Sequence, residues 1–250
     1  MTFELPKKIS DRLDEVARLC EDANKALPMI NNTRNSHDVQ HQVLFILLVR
    51  AIKYLDAYLF LARAGYGEPA ISLVRSIYEA SLWMRWSSKS KSNAEKYFDA
   101  SKGESIRMAN KLVSRNLARF TGPGNQKDFQ EMLQDELAKT KFPTWEQLAA
   151  EVGQQDLHAL IYPLLSAMSH GTLMSMGERL VKDKTLSPGP DSDNILPYIS
   201  IANNVFNDCY LVCGEWVVNG KLRPVPDTRK LMKQESFPKR RETFPQDTEG

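Results

Sequence analysis

Cysteine is scarce in this chain of 250 residues, which holds three: Cys20, Cys209 and Cys213. An odd set cannot pair fully, and the i,i+4 spacing of Cys209 and Cys213 is the wrong geometry for a disulfide. A chain of this length buries most of its apolar surface without such staples, so a reducing compartment is expected. Long apolar runs are missing too. The most apolar stretch, residues 42–49, is closed by His41 and Arg50. It falls well short of the roughly 18 residues a spanning helix needs and reads as a core segment. The opening Met-Thr-Phe-Glu-Leu-Pro-Lys-Lys lacks the apolar core of a secretory signal, so the expected setting is cytoplasmic, with no membrane partner. A dominant charge sign is also absent. The formal net charge is +2, and residues 221–250 carry eight Lys or Arg against five Asp or Glu, which leaves residues 1–220 near −1. Global charge is thus a weak argument for nucleic acid, and such a case rests on local patches.

Neither an internal repeat nor strand-like alternation is present; helical periodicity is. Residues 5–27 place Ile9, Leu13, Val16 and Leu19 on one face, with Pro6 where its missing N–H costs little. A long second helix is predicted from His37 to Arg63, capped by Ser36 and ended by Gly65. A third runs from Pro69 in its first turn to about Trp86 and, being densely apolar, belongs at the centre of the bundle. Residues 93–120 form a fourth, with Gly103 as a candidate break and Gly122-Pro123-Gly124 as its stop. Shorter helices follow over 126–140 and 144–152. Another spans 156–170, where Pro163 should kink it or delay its start. Residues 171–192 read as a long connection and 196–218 as a last apolar helix. The expected fold is all-α, a bundle of about seven to eight helices forming one domain over residues 1–220. Residues 221–250 read as a Pro-rich, charged, poorly structured tail.

Two polar stripes could carry chemistry. On the third helix, Ser72, Arg75, Ser76 and Glu79 form a narrow stripe on an otherwise apolar cylinder, facing either water or a polar cavity. On the 156–170 helix, His158, Tyr162, Ser166 and His170 recur at every fourth residue and share a ridge. His170 can exchange a proton near neutral pH, or simply cap the helix end before Gly171. If both stripes face inward, each could satisfy the other.

The motif R-S-I-Y-E-A at residues 75–80, with Y-P-L-L-S-A-M-S-H-G at residues 162–171, resembles a bacterial all-helical family of unknown function over roughly residues 40–215. The matching positions are Arg75, Glu79, Tyr162, Ser166 and His170, and the resemblance implies a shared fold and a shared polar site. It supplies no reaction. A more distant similarity is to the HEPN helical domains, many of them RNA-cleaving toxins or defence effectors, whose site has an Arg followed after four to six residues by a His. No Arg precedes His170 at that spacing, whereas Arg34-Asn35 with His41 satisfies it early in the chain. With fifteen Arg and four His, that spacing arises by chance about once, so it is a weak signal and an exposed helix N-terminus is the expected reading.

His37 and His41 also stand at a spacing that can hold a metal, but no third ligand accompanies them, and no cofactor is expected. The fourth helix carries Arg107, Lys111, Arg115 and Arg119 at four-residue spacing, with no acidic residue between Ser105 and Asn125. Such a ridge suits a phosphate backbone or is simply a solvated face. Two functions follow. In the first, an RNA-acting defence or toxin-type effector binds phosphates on this ridge, uses His170 as general acid or base, and stabilises charge with Arg75. In the second, a non-catalytic interaction or ligand-sensing module uses Arg75, Glu79, Tyr162, Ser166 and His170 as a structural polar network, with a protein partner or self-association.

Overall fold

The computed structural model describes residues 4–32, 38–115, 131–132, 143–169, 190 and 195–219. Among them are seven helices and no strand: α1 (Lys7–Asn31), α2 (Val39–Arg63), α3 (Gly67–Lys89), α4 (Lys91–Ser114), α5 (Trp145–Glu151), α6 (Gln155–Ser169) and α7 (Ile195–Asn219). The fold is all-α, as its periodicity implies. No described helix is long and apolar enough to cross a membrane.

Several boundaries differ from those read off the sequence, each for a local reason. α1 passes through Pro28 because Ile30 is buried and extends the inward row of Ile9, Leu13, Val16, Cys20 and Ala23. Asp38, rather than Ser36, caps α2, its Oδ1 accepting the Gln40 amide at 2.7 Å. The end of α2 is as expected: Gly65 has φ +83°. The Tyr66 amide there reaches the Leu61 carbonyl at 2.8 Å, and that of Gly65 reaches Ala62 at 3.0 Å. α3 runs on to Lys89, where the Gln40 side chain bonds the Ser87 and Ser88 carbonyls at 3.1 Å each.

Gly103 is buried and does not interrupt α4; the expected stop beyond it lies outside the described residues. α5 opens with a capping box, in which Thr144 Oγ1 accepts the Gln147 amide and Gln147 Oε1 accepts that of Thr144. Pro163 neither ends α6 nor delays its start, and it sits on the exposed side of the helix. Most of the expected 126–140 helix, the 171–192 connection and the 221–250 tail also lie outside the described residues.

α3 occupies the centre, packing against α2, α4, α5, α6 and α7. Its inward positions Ile71, Val74, Ile77, Tyr78, Leu82 and Met84 are essentially sealed from water. At its N-terminus Gly67 lets α7 approach: a Cβ there would lie 2.5 Å from Ile195 Cγ1. Near its other end Arg85 pairs with Asp208 of α7 in a bidentate contact along one guanidinium edge, Nε donating to Oδ2 at 2.8 Å and Nη2 to Oδ1.

Candidate functional site: a polar network between α3 and α6

The two polar stripes meet. Arg75 Nε donates to Glu79 Oε1 at 3.0 Å, Nη2 to the Tyr162 hydroxyl at 2.9 Å, and Nη1 to Ser166 Oγ at 3.4 Å. The guanidinium carbon lies 5.0 Å from the Tyr162 ring centroid. Helical periodicity assembles each half: Arg75 and Glu79 are one turn apart on α3, as are Tyr162 and Ser166 on α6. The Arg75 and Glu79 side chains are 21% and 24% exposed, so the stripe faces a neighbouring helix across a partly dry seam. Burial works against the Arg75 charge, but Glu79 and the Tyr162 hydroxyl outweigh it and hold the guanidinium more firmly charged than a free one.

Ser72 and Ser76 do not join the network. Their hydroxyls bond within α3, to the Pro69 carbonyl at 2.9 Å and the Ser72 carbonyl at 3.1 Å. His170 lies outside the described residues, immediately beyond α6. His158, the first member of the α6 ridge, is 6% exposed and stacks on Tyr162 with ring centroids 4.6 Å apart. The Tyr78 hydroxyl stands 3.3 Å from its Nδ1. Burial pushes the His158 pKa down, opposed by Glu146, and burial raises that of Tyr78. His158 thus orients Tyr162 beneath Arg75. Its place on the ridge was legible in the sequence, whereas its Tyr78 partner, 80 residues away, carries no spacing signal.

An aromatic wall continues from this seam. Tyr162 meets Trp145 of α5 at 6.2 Å, and Trp145 meets Trp83 of α3 at 6.1 Å. Trp83 in turn contacts Tyr97 of α4 at 5.1 Å and Trp86 at 5.5 Å. Trp86 Nε1 donates to Glu151 at 2.5 Å, and Lys89 donates to the Glu151 carbonyl.

The basic ridge belongs to a different element. Arg107, Lys111 and Arg115 are exposed on or just after α4, while Arg119 lies outside the described residues. His41 is not on an exposed helix N-terminus: it is 3% exposed, bonded to the Ile30 backbone and stacked near Phe45 at 6.5 Å. Burial lowers its pKa, and it reads as a packing residue between α1 and α2. Its sequence companions Arg34 and His37 are outside the described residues. No three His, Cys, Asp or Glu side chains cluster as metal ligands among the described residues. All three cysteines are buried, with thiol pKa values pushed up by burial, to about 11 for Cys20 and about 12 for Cys213.

Neither a curated protein nor a solved structure matches this chain. A family model described as a family of unknown function (DUF5677) matches residues 41–186, more than half of the chain. The match takes in α2 to α6, with both halves of the Arg75 network and His170, and stops before α7. The chain therefore belongs to that family of unknown function.

Proposed function

We propose that this chain is a non-catalytic helical recognition module, in which Arg75, Glu79, Tyr162 and Ser166 lock α6 onto α3 and shape a ligand- or partner-facing surface. The observation that carries this reading is the engagement of Arg75: its three nitrogens donate to acceptors on three different side chains. An arginine that meets phosphate or developing negative charge needs donors free for that charge. Here at least three of the five guanidinium N–H groups are committed, so such a role would compete with bonds that hold two helices together. A half-buried guanidinium also loses hydration, and these acceptors replace it.

The second reading is the RNA-acting effector of the defence or toxin type, with His170 as general acid or base. One observation favours it, the exposed row of Arg107, Lys111 and Arg115. Incubation of the purified chain with mixed cellular RNA, with and without chelator, separates the two when run beside Arg75→Ala and His170→Ala variants whose unfolding in urea is measured. The recognition module leaves RNA intact, and Arg75→Ala costs about 1–3 kcal/mol of stability. Cleavage by the wild type that is lost in both variants while they stay folded would overturn it in favour of the effector.

A further inference from the structure

The aromatic wall beside Arg75 narrows the kind of ligand such a module takes, an inference that rests on the recognition reading. Arg75, Glu79 and Trp83 follow one another at four-residue spacing, so one row of α3 carries a cation, a carboxylate and an indole. Trp83, Tyr97, Trp145 and Tyr162 are each partly exposed while touching in sequence around that row. Glu79 gives Oε1 to Arg75, and no donor among the described residues reaches its Oε2, although the side chain is three-quarters withdrawn from water. This oxygen is not among the polar atoms sealed from water, so it can accept an N–H group that arrives from solution.

The sign of the surroundings agrees. Arg75 is already matched by Glu79, and the neighbouring α5 adds Glu146 at its exposed start and Glu151 at its end, against Lys89. Backbone contacts and the Thr144 side chain keep Glu146 below the usual carboxylate range, hence ionised at neutral pH. A net negative rim repels phosphate and draws in a cation, and the electron-rich faces of Trp and Tyr rings favour the same charge. The chain supplies its own precedent, since the Arg75 guanidinium rests against Tyr162.

The geometry points to a binding site for an organic cation bearing N–H groups, an alkylammonium or guanidinium head, seated on Trp83 and Trp145 beside the Arg75-covered Tyr162 ring, with Glu79 Oε2 as counter-ion. Indole emission and calorimetry of the full chain, titrated with n-butylammonium, methylguanidinium and inorganic phosphate, test it. Both cations should give a saturable response and phosphate none, and Glu79→Gln should weaken the cations about ten-fold. The exposed-rim variant Glu146→Gln should weaken them about two-fold, which keeps the test decisive if Glu79→Gln fails to fold. No saturable response to either cation, equal affinity in the variants and the wild type, or saturable binding of phosphate in their place would overturn the site. Its failure would leave the cost of Arg75→Ala untouched, so the recognition reading stands or falls separately on the RNA experiment.

Discussion

At the scale of single residues, the largest stability effect belongs to a pair outside the candidate site. Arg85 and Asp208 are both largely withdrawn from water and joined by two parallel hydrogen bonds. Removing one partner strands the other, so Arg85→Met is expected to cost about 3–5 kcal/mol in urea unfolding, while replacing both with apolar residues of similar volume should recover most of it. Nothing in the sequence marks this pair, because its members are 123 residues apart on helices with no shared motif.

The buried histidines yield a pH effect. His41 and His158 both have pKa values lowered by burial. Above the unfolded value, about 6.5, both states are neutral and the fold keeps its full stability; as pH falls toward the lowered folded values, the unfolded chain takes up protons first and stability is lost. Denaturant midpoints at pH 7.5 and 5.5 check this, and the fall should be smaller in His158→Gln. The four described members of the predicted site were legible because each half is an i,i+4 pair on one helix. Their meeting across roughly ninety residues was not, since helical period says which face a residue occupies and not which helix it faces.

At the scale of elements, boundaries followed local chemistry where a strong signal stood alone and shifted where two competed. Gly65 and the Thr144–Gln147 box act as their sequence suggests. Pro28 and Pro163 do not break their helices: α1 continues to bury Ile30, and the exposed Pro163 leaves the inward face of α6 intact. Thr144→Ala should destabilise by about 1 kcal/mol through loss of the α5 cap, read as a lowered denaturant midpoint. Gly67→Ala drives a Cβ toward Ile195 and is expected to cost about 1–3 kcal/mol, with partial recovery when Ile195→Ala is added; a thermal melt of the three variants checks the contact.

For the whole molecule, centrality of α3 is the organising fact, because one helix carries the core, the Arg85 pair and the Arg75 network at once. The apolar density of residues 71–86 announced that position in the sequence, and the structure bears it out. The basic ridge was legible as a pattern and its described members are exposed, but it is carried by α4, apart from the α3–α6 seam that carries the network. The role of the α3–α6 seam depends on whether Arg75 and its α6 partners act as a clamp. A double-mutant cycle of Arg75→Met and Tyr162→Phe, read by urea unfolding at pH 7, measures this directly. A coupling of about 1–2 kcal/mol is expected for a bonded pair in one network; additivity within about 0.3 kcal/mol would contradict the clamp.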